Sequence, residues 1–163
     1  MPTRSFEWLL DAISTKLKIV GAACLFGMAV LTCVDVIGRL FDRPLFGSIE
    51  LVSFLGVLTV AMAMPLTQRE KGHIGVELFV DKLPKTGRLL FELATELASL
   101  VLFLIIAWRV LLLSTKLRSS GEVSMNLHLP EYAVVFLLGC CCLILCLVML
   151  SSVITTLKTL VRT

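Results

Sequence analysis

Residues 132–157 read YAVVFLLGCCCLILCLVMLSSVITTL, a run without a single charge, fenced by Glu131 and Lys158. A helix needs about 20 mainly apolar residues to cross ~30 Å of hydrocarbon, and this stretch exceeds that length. Working outward, three more segments share its character. Residues 19–38 carry one charge, Asp35, and residues 51–68 carry none. Between them and the long run, Leu97–Trp108 is uncharged but too short to span. The third span is therefore expected over 91–113, taking in Glu92, Glu96 and Arg109. The expected fold is an all-α membrane protein in one domain, with spans at 19–38, 51–68, 91–113 and 132–157.

Composition agrees. Of 163 residues 58% are hydrophobic and 17% charged, whereas a soluble domain carries nearer ~25% charge. Mean hydropathy is +0.98. These values exclude a disordered chain and a nucleic-acid binder, and they argue against a soluble enzyme. The net charge of +3 is uninformative, because in membrane proteins the placement of charge matters more than its sum. Cys24, Cys33, Cys140, Cys141, Cys142 and Cys146 all fall inside apolar blocks. They read as small buried hydrophobes, not as a disulfide framework or a zinc site. The first apolar block begins only near Ile19, after an amphipathic stretch, which is not the pattern of a cleavable signal peptide.

Four spans put both termini on one side. With them lie Arg4, Lys16, Lys18, Arg69, Lys71, Lys82, Lys85, Arg88, Lys158 and Arg162. The other side holds Arg39, Arg43, Lys116 and Arg118, with Arg109 at its boundary. The positive-inside rule then predicts cytoplasmic termini. Two further segments carry an apolar stripe at helical spacing. Phe6, Leu10, Ile13 and Leu17 fall on one face within 5–18, where Trp8 adds an interface-seeking ring. Val76, Phe79, Val80 and Leu83 do the same within 75–83. Each is expected as an amphipathic helix lying at the membrane surface or against a partner.

Charges within spans are functional candidates by default, because each costs at least ~3 kcal/mol at the bilayer centre. Asp35 lies ~24 Å along the first span, near its far end, with Arg39 at i+4 and Glu50 opening the next span at the same depth. One reading is an ion or substrate gate. The other, adopted here, is a structural ion-pair cluster of Asp35, Arg39 and Glu50 closing the first hairpin. Glu92 and Glu96 share a face near the start of the third helix, where the helix dipole favours carboxylates. His73 and His128 both fall in loops, so neither suits an axial haem ligand. No phosphate-binding loop or CxxC is present, and Cys140–Cys142 place adjacent thiols on different helix faces. The pattern calls for no enzyme, cofactor or metal. The mid-span residues offer no polar groups to bind a substrate, and no span carries a mid-helix proline.

Small residues decide helix contacts in lipid, where burying Leu against Leu gains nothing. Gly27 in the first span and Gly56 in the second are the leading contact candidates, with Trp8 and His73 beside them. The fourth span, offering only Gly139 and its cysteines, is expected to keep a lipid-facing side.

The order of motifs carries a resemblance. Asp35-Val36-Ile37-Gly38-Arg39 ends the first span; Arg43-Pro44-Leu45-Phe46-Gly47 and Glu50 follow. Gln68-Arg69-Glu70-Lys71-Gly72-His73-Ile74 leaves the second and runs to Val80-Asp81-Lys82-Leu83-Pro84, and Leu129-Pro130-Glu131-Tyr132 opens the fourth. This resembles the small membrane subunit of TRAP (tripartite ATP-independent periplasmic) transporters. One departure is Ser48-Ile49-Glu50, where paired acids are more usual. The resemblance implies an inner-membrane subunit that scaffolds a large permease subunit. A periplasmic binding protein would supply the organic acid, a carboxylate or sulfonate, for sodium-coupled uptake. Two alternatives stand beside it. One is a self-contained homodimeric transporter relying on Asp35 or Glu96. The other is a small subunit of a tripartite tricarboxylate transporter or another membrane complex.

Overall fold

A computed structural model describes residues 2–69 and 85–162. Among these residues it consists of four helices, α1 (Pro2–Leu40), α2 (Ser48–Arg69), α3 (Lys85–Ser120) and α4 (Glu131–Arg162). Each contains a segment long and apolar enough to cross a membrane. The expected 75–83 helix and His73 lie outside the described residues.

The helices form an open row, not a closed bundle. α1 packs on α2, α2 on α4, and α4 on α3, so α4 lies between α2 and α3. Two apolar clusters mark its contacts. Cys141 meets Ala61 and Met62 of α2, with Leu17 and Leu138 alongside, while Cys142 and Cys146 meet Ala107 of α3. Adjacent thiols thus point to different neighbours. A Cβ built on Gly139 would stand 2.6 Å from Leu111 Cδ2, which shows how closely α3 crosses α4 there. The fourth span is consequently the most enclosed of the four, through the very residues taken as sparse packing material. Phe136, Leu143, Leu147 and Leu150 still give it an outward apolar side.

Residues 5–18 do not form a separate surface helix. α1 runs unbroken from Pro2 to Leu40, ~58 Å at 1.5 Å per residue. Neither Gly nor Pro occurs between Thr3 and Val20, so nothing breaks the backbone ladder where hydropathy changes. Leu10, Ser14 and Gly21 on one face are buried, and Leu17 packs on the α2 cluster. Trp8 stays exposed, at 71%. Asp11 adds a surface ion pair to Arg69 at the end of α2, 3.0 Å long.

α1 ends in a Schellman cap. The Arg43 N–H donates to the Gly38 carbonyl at 2.8 Å and the Asp42 N–H to Arg39 at 3.3 Å, with Asp42 left-handed at φ 54°. A Cβ on Gly38 would run into the Arg43 carbonyl, so the cap needs a glycine at this position.

Candidate functional site: the loop-end carboxylates and the helix faces

The loops joining α1 to α2 and α3 to α4 meet at one end of the row, here the loop end. Two carboxylates organise it. Asp35, only 8% exposed, receives Arg39 Nε at 2.9 Å on one oxygen and the Leu45 N–H at 3.0 Å on the other. It therefore ties the last turn of α1 to the loop that follows. Arg39 is half-exposed, so the ion pair itself contributes little. The backbone contact is the structural element.

Glu50 lies apart from that pair. Its Oε1 receives the Asn126 N–H at 2.8 Å and Asn126 Nδ2 at 3.0 Å, and its Oε2 receives the Leu127 N–H at 3.1 Å. The trio expected from sequence is thus split: Asp35 and Arg39 hold the first loop, and Glu50 reaches across to the second. The reason is local. Arg39, the donor in that pair, is engaged by Asp35, while the 126–127 backbone offers Glu50 two N–H donors. Gly47, at φ 75°, sits against Leu127, where a Cβ would overlap that side chain. The two loops are in direct contact.

Ser124 closes the second loop on itself. Its N–H donates to the Leu129 carbonyl at 3.0 Å and its Oγ accepts the Leu129 N–H at 3.1 Å. Below the loop, Ser114 Oγ donates to the Tyr132 carbonyl at 3.2 Å, which sets the height of α4 against α3.

Glu96 is a third in-span carboxylate, at the opposite end from Asp35. Ser152 Oγ donates to its Oε1 at 2.6 Å, and its Oε2 is buried without a hydrogen-bond partner among the described residues. Sequence reasoning missed Ser152 because α3 and α4 meet only in three dimensions. Three or more metal-ligating side chains do not converge anywhere among the described residues.

Gly27 and Gly56 both face the α1–α2 seam. Gly27 lies opposite Leu55 and Gly56 opposite Met28, with built Cβ positions 4.0 and 3.6 Å from those side chains. Each thus borders a side chain of the neighbouring helix. A groove of about 350 Å³ opens between α2 and α3 over Leu145 and Met149 of α4. Its walls are mostly Val60, Ala63, Met64 and Phe103, and the hydroxyls of Thr59 and Thr67 donate to carbonyls of their own helix. Gln68 is the remaining polar residue of the lining, whereas a specific ligand site needs several converging polar groups.

Asp35 and Glu50 are thus occupied by this chain's own donors, which is the chemistry of a framework. The model of the DctQ component of tripartite ATP-independent periplasmic transporters matches residues 28–159. The chain belongs to the DctQ family. The DctQ component is the small permease subunit of a TRAP transporter, a transporter part and not an enzyme family. Comparison with curated proteins returned no match. With four apolar helices, this DctQ chain is a multi-pass inner-membrane protein.

Proposed function

We propose that this DctQ chain scaffolds the large permease subunit of a TRAP transporter for sodium-coupled uptake of an organic acid, a carboxylate or sulfonate, delivered by a periplasmic binding protein. The family match over 28–159 carries the reading. The occupied carboxylates of Asp35 and Glu50 and the mainly apolar lining of the groove support it, because neither forms a cluster of free polar groups for a substrate. Both termini face the cytoplasm, and the loop end faces the periplasm. The ten-to-four distribution of basic residues supports that orientation. Trp8, exposed on the cytoplasmic extension of α1, is a candidate contact with the large subunit.

Co-expression with the large permease subunit tests the reading. A tagged DctQ chain is expected to retain the large subunit through detergent purification. Purification of the DctQ chain free of a well-expressed large subunit would contradict it.

A further inference from the structure

α3 stands at one end of the row, with α4 as its packing neighbour. The side it turns to α4 is marked by Ala107, buried with Cys142 and Cys146, and by Phe103 one turn earlier. A helix turns about 100° per residue, so Arg109, two positions on from Ala107, is carried to the opposite side. Ile105 and Leu112 share that outer stripe, and Trp108 flanks it, 68% exposed. Arg109 is exposed as well. Among the described residues, neither the Arg109 guanidinium nor the Trp108 indole N–H has a hydrogen-bond or ion-pair partner.

Contacts between the helices set the depth of Arg109. Gly139 lies against Leu111 and Val110, and Cys142 against Ala107, so Arg109 is level with Cys140 and Cys141. Cys141 is ~14 Å along α4 from Tyr132, where the uncharged run begins. On its other side Cys141 meets Ala61 and Met62, ~20 Å from the start of α2 and ~11 Å from its end. Since the hydrocarbon layer is ~30 Å thick, both helices place Arg109 near its middle. Lys116, on the same stripe, is ~10 Å nearer the loop end. Sequence alone sets Arg109 at the boundary of the third span; the register with α4 moves it inward.

We propose that the outer face of α3 is a contact with the large permease subunit, in which Arg109 binds a carboxylate carried at mid-depth by a membrane helix of that subunit. The inference rests on the reading of this chain as the scaffold of that subunit. A charge near the bilayer centre is too costly to leave facing acyl chains, and such residues pair with one another or face a protein interior. Snorkelling to phosphates serves charges near helix ends, a position that Lys116 holds and Arg109 does not. The planar guanidinium matches a carboxylate through two parallel hydrogen bonds. Trp and Arg are also the residues most enriched at the energetic centres of protein interfaces, and here they are adjacent, with Ile105 and Leu112 around them. Acyl chains offer no acceptor to either donor, so the occupant is the acidic helix and not lipid.

Co-purification of variants with the large subunit tests this, alongside the yield of the DctQ chain itself. Arg109→Leu is expected to leave that yield and its helicity unchanged. By stranding the partner's buried carboxylate, it is expected to cut the large subunit retained by at least about tenfold. Arg109→Lys keeps the charge and is expected to retain more than Arg109→Gln, which keeps donors without charge. The reverse order would overturn the carboxylate partner. Undiminished retention by Arg109→Leu would overturn the proposal and leave the scaffold reading standing. Loss of the DctQ chain itself would overturn it by giving Arg109 an internal role. Failure of the unaltered chain to retain the large subunit would overturn the scaffold reading and the proposal together. A second measurement leaves Arg109 in place: a benzophenone amino acid at Ile105 is expected to photo-crosslink to the large subunit in the assembled complex. Crosslinks to lipid alone would overturn the proposal independently.

Discussion

One carboxylate oxygen of Glu50 receives both the backbone and the side-chain N–H groups of Asn126, at 2.8 and 3.0 Å. This joins the start of α2 to the loop before α4, beside the contact of Gly47 with Leu127. Glu50→Ala would leave the Asn126 and Leu127 N–H groups without acceptors near the apolar layer, where such groups are costly. The complex is expected to melt at a lower temperature, and trypsin is expected to cut at Arg118 more readily. Glu50→Gln retains oxygen acceptance on one atom and is expected to fall between wild type and alanine. Equal melting of all three would contradict the assigned role.

The pair at Asp35 predicts an order of effects. Asp35→Ala removes the acceptor for Leu45 as well as the partner of Arg39, so it is expected to lower thermal stability more than Arg39→Ala does. Arg39 is half-exposed and its loss leaves the Leu45 contact in place. The ratio of folded complex recovered for each variant checks this. A larger loss from Arg39→Ala would show that the charge pair, not the backbone contact, holds the loop.

Much of this architecture was legible in the chain, and the missing parts have physical causes. Long apolar runs define spans because the bilayer demands them, and 132–157 is unmistakable. The Asp35–Arg39 pair follows from i, i+4 spacing on one helix. Glu50 was misassigned because its partners lie 76 and 77 residues away in sequence, where spacing carries no information. The break expected near Ile19 was a change of hydropathy only, with no Gly or Pro to enforce it. The row order is also invisible in the sequence. Helices that are apolar on all sides give no stripe to say which face meets which neighbour.

Glycine substitutions separate internal packing from partner contact. Gly27 and Gly56 have room for a methyl but face neighbouring side chains, so alanine is expected to be tolerated and leucine is not. Gly27→Leu and Gly56→Leu are expected to reduce recovery of the DctQ chain itself. Gly139→Ala crowds Leu111 at once and is expected to cost about 1–3 kcal/mol through overpacking. Loss of the large subunit alone, with the DctQ chain folded and abundant, would place these glycines at the partner interface instead.

Orientation is checked by labelling intact cells. A cysteine at Gly121, in the exposed turn after α3, is expected to react with an impermeant maleimide from the periplasm. One at Lys16, exposed on α1, is expected to react only after the cells are opened. The reverse pattern would contradict the orientation drawn from the basic residues.

Reconstituted uptake tests the central claim most directly. Proteoliposomes containing the DctQ chain alone, the large subunit alone, or both are given binding protein, radiolabelled organic acid and an inward sodium gradient. The account predicts uptake with both subunits and none with the DctQ chain alone. Sodium-dependent uptake by the DctQ chain alone would contradict it.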